Sequence, residues 1–278
     1  MNNNTLAEPS PDKLQSPTSS SSSSSTVVTC LSTKLPPLVD NKAAEDDDPN
    51  FHQGSSFPSS PPLSDSKHTP RRIYWIRHGE TDWNVEGKIQ GGGYDIPLNE
   101  NGKRQAQLVA AALSDLPISV VVSSTMARAQ QTADILQKEL LRHSSSKAIL
   151  RFSYPGFNEM SFGQYEGLAW QSPTVDDSIR KEFKALYKQM CQRDTIAFPG
   201  PGGESTKQVV ERSLHAMQQL WKDLDHQHSS ATEANGQHHP HEHQHIAIVA
   251  HGRTNKIILA QLLHQNALEF CHIPQSSK

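Results

Sequence analysis

Two tripeptides in this 278-residue chain, Arg77-His78-Gly79 and Ala250-His251-Gly252, each close a short apolar run. The runs, Ile73-Tyr74-Trp75-Ile76 and Ile246-Ala247-Ile248-Val249-Ala250, read as strands. In open α/β sheets, ligands collect beyond the carboxyl ends of strands, so two histidines at two such ends can face one site. Each following glycine lets the chain turn sharply and leaves room for a ligand. A neutral imidazole is a competent nucleophile near pH 7, provided an acceptor fixes its tautomer through the other nitrogen. Arg77, and Arg128 just after another strand end, carry forked, always-charged donors. Such donors match the three charged oxygens of a phosphate monoester. The pattern is one of phosphoryl chemistry in which arginines take the place of a metal ion, so neither metal nor cofactor is expected.

The elements that must position these residues alternate in type. Val120–Val122 and Ile149–Phe152 read as two further strands. Helical spacing of apolar residues marks 102–114, the stretch from Ala129 to Leu140, 176–193 and 254–264. A further helix begins at Ser205, where Ser205 and Gln208 have capping-box spacing. It presents Val210, Leu214, Met217, Trp221 and Leu224. Strands alternating with helices predict an α/β domain, a three-layer α/β/α sandwich with a mainly parallel sheet.

Composition sets the boundaries. Ten of the 18 prolines, seven consecutive serines (Ser19–Ser25) and the acidic run Glu45–Asp48 fall in residues 1–70. That segment is expected to be a disordered Ser/Pro-rich tail, for want of apolar surface to offset ordering entropy. Residues 71–278 then form one domain, with a histidine-rich loop insertion at 226–245 holding seven of the 15 histidines. The insertion has neither cysteines nor zinc-type spacing and reads as a solvated loop rather than a metal site. A net charge of −3 does not suggest a polyanion binder, so no nucleic-acid partner is expected. The longest apolar run, Leu108 to Leu113, is too short to span a bilayer, so no membrane partner is expected either. Three widely spaced cysteines, Cys30, Cys191 and Cys271, argue against a disulfide framework and for a reducing, cytoplasmic setting. A Ser-rich organellar transit segment is the alternative.

Arg77-His78-Gly79-Glu80-Thr81 followed by Asn84 resembles the signature of the histidine phosphatase superfamily, the phosphoglycerate-mutase-like fold. Further segments appear in family order across about 72–275: Gln90-Gly91 with Asp95-Ile96-Pro97-Leu98-Asn99, Ser123-Ser124 with Arg128, Asn158-Glu159-Met160, Pro201-Gly202-Gly203-Glu204-Ser205, and His251-Gly252. The resemblance implies His78 as phosphoryl-accepting nucleophile and Glu159 as acid and then base. It implies Arg77, Asn84, Arg128 and His251 as phosphate contacts, His251 also belonging to the catalytic set. Phe157, Met160 and Phe162 would give Glu159 apolar surroundings. Glu80 is assigned only to ordering the loop. Gly92-Gly93-Tyr94 stands where many relatives have two residues, which puts substrate specificity in question. Relatives also commonly continue into another strand after the position of Gln275. A truncated C-terminus, with a bare sheet edge, is therefore the alternative to a chain complete at Lys278.

The resemblance implies a phosphomonoesterase acting on a phosphorylated small molecule, with the oligomeric state open. A phosphoglycerate mutase of the same fold is the runner-up. It ranks lower because Asn158–Gly167 does not reproduce the sequence usual around the acid of true mutases, with its Tyr and Lys. A non-catalytic phospho-ligand adaptor ranks last, since nucleophile, acid and both arginines are all present.

Overall fold

The computed structural model describes residues 29–32, 71–143, 148–235 and 245–273. Among them β1 (Thr29–Ser32), β2 (Arg72–Arg77), β3 (Ile118–Ser123), β4 (Leu150–Ser153) and β5 (His245–Ala250) form one sheet in the order β1-β2-β5-β3-β4. The four strands β2, β5, β3 and β4 run parallel; β1 pairs antiparallel to β2. Parallel strands need crossovers, and the helices that supply them cover both faces. They are α2 (Glu100–Ala112), α3 (Ala127–His143), α5 (Thr206–Asn235) and α6 (Gly252–His264).

Alternation along β2 sorts the core. Tyr74 and Ile76 join Val109, Ala133, Leu136 and Leu140 beneath α2 and α3. Ile73 and Trp75 join Met217, Leu220, Leu224 and Ile258 beneath α5 and α6. A third cluster ties α4 (Asp177–Met190) to the inner side of α6 through Met190, Phe198, Ile257 and Phe270. The expected sandwich is thus the observed one. The Ser205 capping box is present in both directions: Ser205 N donates to Gln208 Oε1 at 2.8 Å and Gln208 N to Ser205 Oγ at 3.3 Å.

Four expectations need correction. Thr29–Ser32, placed in the disordered tail by composition, forms β1; the rest of 1–70 lies outside the described residues. That strand covers the outer edge of β2, so this edge is not bare. The histidine-rich insertion is helical in its first half, because α5 runs on to Asn235; residues 236–244 lie outside the described residues. Its last histidine, His245, opens β5, where its Nδ1 lies 2.8 Å from the Tyr74 hydroxyl. Finally, Cys191 and Cys271 form a disulfide with Cα atoms 6.2 Å apart across 80 residues of sequence. The bond joins the residue after α4 to the 3-10 turn Ala267–Cys271 beyond α6, so the cysteine count no longer supports a reducing setting. Among the described residues, no helix is long and apolar enough to cross a membrane.

Candidate active site

β2 and β5 are neighbours in register to their ends, Arg77 opposite Ala250, and His78 N donates to Ala250 O at 3.0 Å. This pairing brings the two tripeptides together: the His78 and His251 rings lie 5.1 Å apart, centroid to centroid, both buried. The turn after His78 is packed hard. A side chain on Gly79 would strike the backbone of Gly102 in α2, so α2 can approach only because both positions are glycine. Gly79 N donates to Thr132 Oγ1 at 3.1 Å, tying the turn to α3.

His78 Nδ1 lies 2.7 Å from Gly79 O. A carbonyl only accepts, so Nδ1 carries the hydrogen and the neutral ring keeps its lone pair on Nε2. Burial first, then the positive charges of Arg128 and Arg77, hold the His78 imidazole well below the ordinary histidine value of 6.5. His251 is lowered in the same way, by burial and then by His78 and Arg128. Its Nε2 lies 2.7 Å from Ser124 Oγ, while its buried Nδ1 has no hydrogen-bond partner among the described residues.

These shifts carry a prediction about stability. Both histidines release their protons more readily folded than unfolded, so below pH 6.5 the unfolded chain binds more protons. Stability is then fully present above the unfolded value and lost as pH falls below it, with a limiting slope of about 1.4 kcal/mol per pH unit per histidine. The urea midpoint should therefore fall between pH 7.5 and 5.5. A midpoint that is flat or rising across that range would contradict the burial of two neutral histidines.

The arginines differ in their engagement. The Arg77 guanidinium makes no hydrogen bond or ion pair among the described residues, although burial lowers its pKa and Glu159 opposes that. Arg128 is wholly buried; its two terminal nitrogens donate to Tyr94 O at 3.0 Å and Gly91 O at 2.9 Å, and its Nε has no partner among the described residues. It thus also staples the 91–94 loop. Asn84 closes α1 (Asp82–Val85) by a capping box with Thr81, its Oδ1 accepting from Thr81 N at 3.1 Å. The Glu80 carboxylate accepts from Asn99 and Asn101 at 3.1 Å each, the loop-ordering role expected of it.

Glu159 sits at the amino end of α6. Its Oε1 accepts from Met160 N, Thr254 N and Thr254 Oγ1 at 3.0–3.1 Å, and its Oε2 from Arg253 N at 3.2 Å. Its carboxylate is therefore ringed by hydrogen-bond donors, and of the three apolar side chains expected around it Phe162 shares its cavity. Phe157 and Met160 instead turn into the core. Arg212 fixes the same loop, donating to Gly156 O and Asn158 O while pairing with Glu204 at 2.7 Å. Glu166 plays a different part. It accepts from Gly92 N, Gly93 N and Phe162 N at 2.8–3.1 Å, so the glycine-rich loop is wrapped on its carboxylate. Gly91 has φ of 58° and would clash with that carboxylate if it bore a side chain.

Arg77, His78, Asn84, Arg128 and Glu159 all line one cavity of about 300 Å³. His251 adjoins it behind His78. Sequence reasoning missed Thr254 and Ser124, which hold Glu159 and His251, and Arg253 and Trp170, which line the outer part of the cavity. Ser124 and Arg253 each stand in or beside a motif, and that adjacency was the available signal.

A parallel α/β/α sandwich with two histidines and two arginines gathered at its strand ends defines the phosphoglycerate-mutase-like class of domain. Residues 73–277 match the family model of the histidine phosphatase superfamily (branch 1), and the chain belongs to that family. It is 33% identical over 152 residues to a metal-independent phosphoserine phosphatase of Arabidopsis thaliana, covering 54% of this chain and 58% of that protein. It is 36% identical over 150 residues to phosphoglycerate mutase-like protein 4 of the same plant, covering 53% and 59%. The chain thus spans less than two thirds of those relatives' lengths. Among solved structures, the α-ribazole phosphatase of Shigella flexneri superposes with a TM-score of 0.52 at 26% identity, covering 72% of this chain and 84% of that one.

Proposed function

We propose that this chain is a phosphatase that hydrolyses phosphate monoesters of small molecules through a phosphohistidine on His78. The observation that carries the reading is the Nδ1 contact of His78 with Gly79 O, which leaves Nε2 as the free valence beside an unengaged Arg77. Nε2 attacks phosphorus and the ester P–O bond breaks. Glu159 gives its proton to the departing oxygen, releasing the alcohol. Water then attacks the phosphohistidine, passing a proton to Glu159 and freeing inorganic phosphate. Glu159 Oε1 accepts two backbone N–H groups and shares the Thr254 hydroxyl with Asn158 O, whereas Oε2 has one donor, so Oε2 is the oxygen able to carry the proton. Arg77, Arg128, Asn84 and the free Nδ1 of His251 meet the phosphoryl oxygens, with fixed positive charge in place of a metal.

For the setting, this reading takes the organellar alternative over the cytoplasmic one. The Cys191–Cys271 bond strengthens the organellar alternative, because disulfides seldom persist in reducing compartments.

The partition of the phosphoryl group tests the activity. With a chelator present throughout, the chain should release inorganic phosphate in step with the loss of a phosphate monoester and should not interconvert 3- and 2-phosphoglycerate. Rapid interconversion with little phosphate release would make it a mutase instead.

A further inference from the structure

The outer part of the cavity carries a cation that the proposed chemistry does not use. Arg253, in the first turn of α6, lines the cavity with Phe162, Trp170 and Phe183. Its guanidinium lies over three rings, 4.7 Å from the Tyr187 centroid, 5.4 Å from Phe270 and 5.9 Å from Phe162. These rings hold it on the α4 side of the cavity, beside the third core cluster. Their faces satisfy the guanidinium by cation–π attraction while leaving its N–H edge without a hydrogen-bond partner among the described residues. Tyr187 and Phe270 come from the two segments that the Cys191–Cys271 disulfide joins, so the cage is tied together covalently.

The surrounding charges leave Arg253 as the available cation. Lys88, the other cation on the outer cavity wall, is paired with Glu86 at 2.5 Å. Lys256, one turn on from Arg253, is lowered by burial and by the Arg253 charge, and makes no ion pair among the described residues. The nearest carboxylate on the cavity wall is that of Glu159, which takes the Arg253 backbone N–H. The side chain of Arg253 therefore begins one hydrogen bond beyond the oxygen that would protonate the leaving group. It lines the same cavity as that oxygen.

We propose that Arg253 is a specificity-determining residue that binds a second anionic group, a carboxylate or a second phosphate, on the alcohol part of the phosphate monoester. The proposal rests on the phosphatase reading above. The aromatic cage presents a half-buried planar cation whose fork fits either group bidentately, and losing such a pair typically costs about tenfold to a hundredfold in affinity.

The test uses the full chain and three alkyl substrates of similar length: 3-phosphoglycerate, 1,3-propanediol bisphosphate and glycerol 3-phosphate. The first two carry the second anion, and glycerol 3-phosphate lacks it. p-Nitrophenyl phosphate reports phosphatase activity as such. The wild type should favour one or both of the substrates with a second anionic group over glycerol 3-phosphate by at least ~10-fold in kcat/KM, mostly through KM. Arg253→Met, which keeps the stem in its cage, should bring that ratio close to one, and Arg253→Lys should restore part of it. Equal kcat/KM for the three alkyl substrates in a wild type that turns over p-nitrophenyl phosphate would overturn the proposal and leave the phosphatase reading standing. An Arg253→Met variant that slows all substrates equally would reduce Arg253 to a structural role. If Arg253→Met does not fold, the wild-type ratio and the Lys variant decide. A wild type inert towards every phosphate ester would sink both readings together.

Discussion

Replacing His78 by alanine should reduce turnover by at least ~10³-fold while leaving the protein folded, the scale expected when a nucleophile is lost and binding survives. The size follows from the absence of a substitute. His251 is the only other histidine that the described residues place at the site, and its Nε2 lies against Ser124. Phosphate binding should persist in the variant, because Arg77 and Arg128 approach from β2 and α3 independently of the imidazole. Alanine should cost about 1–3 kcal/mol in stability, since it leaves the Gly79 carbonyl without the hydrogen bond that His78 Nδ1 gives it. The measurement is kcat on an aryl phosphate, with circular dichroism and an inorganic-phosphate binding isotherm as controls. Near-normal turnover by folded His78→Ala would end the phosphohistidine mechanism.

Glu159→Gln should separate substrates by their leaving groups. An alkoxide needs a proton as it departs, whereas p-nitrophenolate does not. The variant should therefore lose about 10²- to 10⁴-fold on alkyl phosphates, the usual span for a general acid, and much less in the first step on p-nitrophenyl phosphate. The amide also places donors at one end of a group now ringed by donors from Met160, Arg253 and Thr254. Some displacement of the loop is expected, and Thr254→Val is the matching control. It removes the hydroxyl contact but keeps the carboxylate, so its effect should not depend on the leaving group. Equal loss on aryl and alkyl phosphates in Glu159→Gln would move the acid elsewhere. Glu166, the next carboxylate, is already committed to three backbone N–H groups of the loops it binds.

What could be read in the sequence was local or repeated. The β2 and β5 runs, their matching tripeptides and the Ser205 cap are each determined within a few residues, and the parallel sheet follows from the alternation of elements. Pairing β2 with β5 then brings His78 and His251 together without further information. What escaped was non-local or masked by composition. Cys191 and Cys271 are 80 positions apart, and nothing in the spacing says that α4 and the turn after α6 meet. The first half of the histidine-rich stretch is polar enough to read as loop, yet it continues a helix already anchored by Met217, Leu220 and Leu224. β1 has four residues, too few for a periodic signal, and owes its state to pairing with β2. Glu159 is legible as a residue but not in its setting, because all its donors but Met160 N come from α6, nearly a hundred residues later.

The central claim is that phosphorus is bonded to His78 during turnover. The most direct measurement is mass spectrometry of Glu159→Gln after reaction with p-nitrophenyl phosphate, followed by peptide mapping at alkaline pH. Loss of the base should slow water attack, so an acid-labile phosphoryl group is predicted to accumulate at close to one per chain, on His78 and nowhere else. It should be absent from the Glu159→Gln, His78→Ala double variant. A phosphoryl group mapped to another residue, or an enzyme that turns over the ester while never carrying one, would contradict the account.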